Sequence, residues 1–106
     1  MAKLLMKDNR AIQILNSAQK ERYGIASMCC YNTEGILATI RAAESRRSPA
    51  MILLFPWAIS YAGGLLVHHA AEAACNASVP IAVHLDHAQD PEIVKRAADM
   101  ADLTRL

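Results

Sequence analysis

The chain has 106 residues, of which 54% are hydrophobic and 20% charged, and its formal net charge is +1. That length allows one domain or part of one, and the composition favours a packed core over a disordered chain. Lysine and arginine are scattered and the longest apolar run, 50–58, is broken by Pro56, so a nucleic-acid partner, an anionic membrane surface and a membrane span are all disfavoured.

Residues 8–22 carry the pattern of an amphipathic helix, with Asp8 placed to cap it and Ala11, Ile12, Leu15 and Ala18 at helical spacing. Gly24 stands where a left-handed residue after the helix is expected. The apolar run 25–31 reads as a strand buried on both faces. A second helix begins at a cap formed by Asn32 or Thr33, with Glu34 in its positive first turn and Ile36, Leu37, Ile40 and Ala43 as the apolar stripe. It closes in Glu44-Ser45-Arg46-Arg47, and Ser48-Pro49 prevents its continuation.

Residues 50–55 form the second predicted strand, ended by Pro56, and 57–64 read as a loop into a third helix over 65–76. Val79-Pro80 opens a third strand that ends at Asp86. Asp90-Pro91-Glu92 then starts the last helix, which runs from 91 to about 103 with Ile93, Val94, Ala97 and Met100 on its apolar side.

The order is therefore one helix followed by three strand–helix units, which is α/β. Continuous apolar strands of this kind pair in parallel beneath helices. Three units leave an open sheet with two unsatisfied edges, whereas a (β/α)8 barrel needs eight units and roughly 250 residues. The expectation is one partial domain over 1–106, consisting of the first three strands of such a TIM barrel and stopping early; the tail 101–106 contains no recognisable closure. A small flavodoxin-like module is a rival, but the chain lacks its Gly-rich phosphate fingerprint.

The chemistry concentrates at the end of the third strand, where Asp86 and His87 adjoin. In α/β folds the carboxyl ends of strands are where ligands sit. His84 and Asp86 share a strand face, and His87 lies just past it, where a turn can re-aim the ring. Each has a structural account as well: Asp86 as a cap of the following turn, His87 as a surface loop histidine, His84 as a packed interior residue. His68 and His69 fit a solvated helix face, and Asn32 suits a helix cap, a substrate contact or both. The three cysteines, with Cys29 and Cys30 adjacent, form no disulfide framework. Residues 1–8 lack a secretory signal pattern, so a cytoplasmic location is expected.

Several segments in order resemble the N-terminal third of the class II, zinc-dependent fructose-bisphosphate (ketose-bisphosphate) aldolases. These are Tyr31-Asn32-Thr33-Glu34, Ala42-Ala43-Glu44 with Arg47-Ser48-Pro49, Ala58-Ile59-Ser60-Tyr61-Ala62-Gly63-Gly64, and Val79-Pro80 through Leu85-Asp86-His87. The resemblance runs from about 24 to 100. It implies a TIM barrel that cleaves a ketose bisphosphate, such as fructose 1,6-bisphosphate, into dihydroxyacetone phosphate and an aldehyde.

By the same resemblance, Asp86 matches the aspartate that exchanges a proton with the substrate C4 hydroxyl. His87 matches the first of three histidine zinc ligands, and Asn32 a substrate contact. Two positions depart from the pattern: Cys29 stands where an asparagine is frequent, and Phe55 where many members have serine. The Phe55 departure marks either a lost substrate contact or a different substrate. A catalytic zinc needs three protein ligands, and only His87 is in place, so the lone chain is expected to be inactive. The alternative is a non-catalytic truncated product that self-associates, or binds a full-length relative, through its exposed barrel edges.

Overall fold

The computed structural model describes residues 8–103, so the expectations for 1–7 and for the end of the tail lie outside it. Helix α1, Arg10–Glu21, is capped by Asn9 rather than Asp8. Asn9 is extended at the helix entrance and its Oδ1 accepts the Ile12 N–H at 3.2 Å, satisfying one of the first-turn donors. The helix closes on Arg22, not Gly24, in the left-handed region (φ 59°, ψ 53°), where the Arg22 N–H reaches the Ala18 carbonyl. The Tyr23 N–H donates to the same oxygen, so the turn is complete before the chain reaches Gly24.

Strands β1 (Ala26–Cys29), β2 (Ala50–Leu54) and β3 (Ile81–Leu85) form one parallel sheet in the order β1-β2-β3. Ala26, Ala50 and Ile81 lie abreast, as do Cys29, Leu53 and His84. Parallel neighbours require crossover connections. Helix α2, Thr33–Ser45, makes the first, and α4, Leu65–Asn76, lies in the second. Asn32 rather than Thr33 caps α2, its Oδ1 accepting the Gly35 N–H at 2.8 Å.

Both helices pack on one face of the sheet. Ile36, Ile40 and Ala43 of α2 and Ala70 and Ala74 of α4 meet Ala50, Ile52, Leu54 and Ile81 in the main core. Ile52 and Ile81 are fully buried there. The alanines of α4 let its backbone approach the sheet closely. Among the described residues, the other face is covered by α1, whose Ile14 packs on Met51 and Ala82. The Arg10 guanidinium fastens that helix by donating to the Ile81 carbonyl at 3.0 Å.

Two further expectations are corrected. Strand β1 is exposed at all four residues, not buried on both faces. Among the described residues it pairs on one edge, and the main core centres on β2 and β3. The segment 57–64 is not a plain loop. It holds the short helix α3, Trp57–Ser60, and a 3-10 turn, Tyr61–Gly64, in which Ala62, Gly63 and Gly64 all have positive φ. Gly64 is buried at φ 79°, and a Cβ there would overlap the Met100 methyl group of α5, Pro91–Leu103. The left-handed backbone at this position suits a residue without a side chain, and the Met100 methyl group packs into the space that leaves.

Gly64→Ala is expected to lower unfolding stability by about 1–3 kcal/mol through strain at its positive φ, read from urea titration. Asn32→Ala should cost about 0.5–2 kcal/mol by removing the α2 cap, while Asn32→Asp keeps an acceptor and should unfold close to wild type.

Candidate active site at the strand tips

Asp86 follows directly on β3, and its N–H donates to the Leu54 carbonyl at 2.8 Å, extending the parallel ladder one residue past the strand. The carboxylate is thereby held at the tip of the sheet, with its side chain 30% exposed. The chain turns at once: His87 has φ 56°, in the left-handed region. That conformation is uncommon for residues other than glycine, although histidine visits it more than most. Asp86 Oδ1 accepts the His87 N–H at 3.0 Å and steadies the turn.

The turn folds the imidazole back on both Asp86 and β2. His87 Nε2 lies 3.6 Å from Asp86 Oδ2, beyond hydrogen-bond length but close enough for the two groups to act on one small substrate. The imidazole also meets the Phe55 ring edge to face, with centroids 5.1 Å apart at 70°. His87 is 70% exposed, so at least one ring nitrogen is open to a metal or ligand. This geometry combines an acceptor for a hydroxyl proton with a single imidazole donor.

Asn32 stands at the carboxyl end of β1. Its Oδ1 is committed to the α2 cap, which leaves Nδ2 as a donor, so the cap and a ligand contact are compatible. His84 is not the packed interior residue expected. It is exposed, at the β3 edge of the sheet face on which α1 packs over Met51 and Ala82. His68 and His69 are exposed on α4, and His69 Nδ1 is 3.0 Å from Thr33 Oγ1, tying α4 to the start of α2. Neither joins His87. Among the described residues no three His, Cys, Asp or Glu side chains converge as a metal site.

Tyr31, Trp57 and Tyr61 were absent from the site as read from the sequence. Tyr31 meets Phe55 edge to face at 5.7 Å and stacks with Trp57 at 6.4 Å; Trp57 then meets Tyr61 at 6.4 Å. The chain has five Phe, Tyr and Trp residues, and four of them stand in this row beside His87. Their clustering just after the ends of β1 and β2 was the available signal. A separate cleft of about 620 Å³ follows the free edge of β3, lined by Arg10, Val67, Val83, His84, Leu85 and Val94 among others. It lies along the strand rather than at its tip, and neither Asp86 nor His87 lines it.

The family model described as fructose-bisphosphate aldolase class II matches residues 9–103. A Coccidioides immitis (strain RS) protein assigned as a fructose-bisphosphate aldolase is 64% identical over 96 residues, covering 91% of this chain and 32% of the relative. The fructose-bisphosphate aldolase of Thermus caldophilus is 37% identical over 86 residues, covering 81% of this chain and 28% of its own. A crystal structure of an assigned fructose-1,6-bisphosphate aldolase from Coccidioides immitis matches with a TM-score of 0.88 at 63% identity, over 92% of this chain and 37% of that one. The chain thus spans about a third of the length of the relatives it matches, and its three parallel units correspond to part of their TIM barrel. The chain belongs to the class II fructose-bisphosphate aldolase family.

Proposed function

We propose that the tip of β3 carries part of the active centre of a zinc-dependent ketose-bisphosphate lyase, with Asp86 as the proton-transfer group, His87 as one metal ligand and Asn32 as a substrate contact. The observation that carries this reading is the side-by-side placement of the Asp86 carboxylate and the exposed His87 imidazole at the carboxyl end of a parallel strand. In cleavage, Asp86 takes the proton of the substrate C4 hydroxyl and the C4–O bond becomes the aldehyde carbonyl. The C3–C4 bond breaks, and its electron pair moves onto the three-carbon half as an enediolate. Protonation at C3 then yields dihydroxyacetone phosphate. A positioned acid–base group of this kind contributes about 10²–10⁴-fold in rate.

A catalytic zinc takes three protein ligands and keeps a fourth position open. The described residues bring only His87 to this point, so they do not by themselves complete a zinc site. The missing ligands would come from outside these three units. The substrate class is a sugar phosphate. Free thiols at Cys29, Cys30 and Cys75 suit a reducing, cytoplasmic setting.

A second reading has its own support. Strand β1 is exposed along its whole length, Met28 is 50% exposed, and the free edge of β3 borders the cleft described above. Such edges are templates for pairing with another chain. In this reading the chain is a non-catalytic product held by a second copy or by a full-length relative.

In a complete barrel containing these units, chelation should abolish fructose 1,6-bisphosphate cleavage, and Asp86→Asn should lower kcat by about 10²–10⁴-fold. Cleavage that survives both treatments would remove the lyase reading. For the second reading, sedimentation of the 106-residue chain should show species heavier than its 11.5 kDa. A monomer that unfolds cooperatively would count against association.

A further inference from the structure

We propose that Phe55 is the positioning residue for His87: its ring holds the imidazole folded back over the rim, in the orientation from which His87 ligates a metal beside Asp86. The inference rests on the reading of His87 as one metal ligand and adds the side chain that aims it. Phe55 is also a point of departure from the family pattern, so an aromatic ring stands here where serine is frequent.

The contact follows from the register. Leu54 pairs with Leu85, and the Asp86 N–H continues the ladder to the Leu54 carbonyl. Phe55 and His87 are therefore each the next residue past that last ladder bond. The left-handed backbone at His87 (φ 56°) sends its imidazole toward β2, where it meets the Phe55 ring edge to face with centroids 5.1 Å apart. Ring pairs of this geometry attract beyond the area they bury. Phe55 is half-buried and is itself met edge to face by Tyr31 at 5.7 Å, so the ring is backed from its other side.

Two further observations give the imidazole a need for such a hold. His87 is largely exposed, so burial does not select among the staggered positions of its ring. Asp86 Oδ1 accepts the His87 N–H and fixes the backbone turn, whereas Asp86 Oδ2 stands 3.6 Å from Nε2, too far to fix the ring by a hydrogen bond. The carboxylate thus sets where the chain turns, and Phe55 sets where the ring points. Groups that orient a ligating histidine commonly change metal affinity about 10–100-fold when they are lost. A serine at this position would offer no ring for the imidazole to meet.

In the 106-residue chain, isotopic labelling of the histidines lets three-bond NMR couplings report the side-chain rotamers of His87, whose signals are those lost in His87→Ala. The wild-type ring should favour one rotamer and show nuclear Overhauser contact with Phe55. Phe55→Leu, which keeps apolar volume but removes the ring, should lower the ratio of that rotamer to the others about fivefold. Phe55→Tyr, which keeps the ring, should stay within about twofold of wild type. The signals of His84 on β3 should be unchanged in both, which checks that the sheet is intact; if Phe55→Leu unfolds, Phe55→Met is read in its place. In a complete barrel containing these units, Phe55→Leu should weaken zinc retention against a chelator about tenfold, with Phe55→Tyr close to wild type. A rotamer ratio or a zinc retention indifferent to loss of the ring, or lost equally in Phe55→Tyr, would overturn the proposal. The lyase reading fails by a different result, zinc retention that survives His87→Ala.

Discussion

The bond from the Asp86 amide to the Leu54 carbonyl, 2.8 Å long, is the interaction on which the site depends. It continues the β2–β3 ladder beyond the strand and holds Asp86 level with the end of β2. On the opposite edge of β2, the Cys30 amide reaches the Leu53 carbonyl at 3.0 Å in the same way. Because β2 is paired on both sides, it sets the height of both neighbouring tips. Parallel pairing then does the rest: all three carboxyl ends face one rim, and the side chains that follow them gather there.

The sheet is built unevenly about that central strand. One face is closed by α2 and α4 over Ile52, Leu54 and Ile81, and among the described residues no polar or charged side chain is buried. Among the described residues, the other face is held by α1, through Ile14 and the Arg10 contact to β3. Beyond the reach of α1, Cys29 and His84 remain exposed on their shared level. The rim is thus anchored on a packed core from one side, while among the described residues the opposite face is only partly covered and both sheet edges are unpaired. That asymmetry is what a segment covering about a third of a closed barrel should show.

At the rim, polar and apolar groups are separated. Asp86 and His87 stand on β3, and the aromatic row lies over the ends of β1 and β2, with the contact between Phe55 and His87 as the seam. Asn32 sits at the same rim with its oxygen used in the α2 cap. One residue there can serve both stability and binding, because the two roles use different atoms. The left-handed turn at His87 makes this arrangement possible, since it folds the imidazole back over the rim within 3.6 Å of Asp86.

Much of this was legible in the amino-acid order. The alternation of apolar runs with helical stripes, broken by Ser48-Pro49, Pro56 and Asp90-Pro91, determined the sequence of strands and helices, since strand and helix periodicities are local properties. Asp86 and His87 could be placed at a strand end for the same reason. The exposure of β1 could not be read, because an apolar run does not disclose whether a second neighbour exists to bury it. Nor could the positive φ of His87, the α3 helix and 3-10 turn within 57–64, or the row linking Tyr31, Phe55, Trp57 and Tyr61. The row arises from contacts between residues far apart in the chain, as between Tyr31 and Phe55 and between Phe55 and His87, and only the parallel ladder brings them together. Local pattern by itself determined the order of the three strands and the four longer helices; tertiary packing decided which surfaces remain open and which side chains meet at the rim, because burial and ring contact depend on neighbours that sequence spacing does not specify.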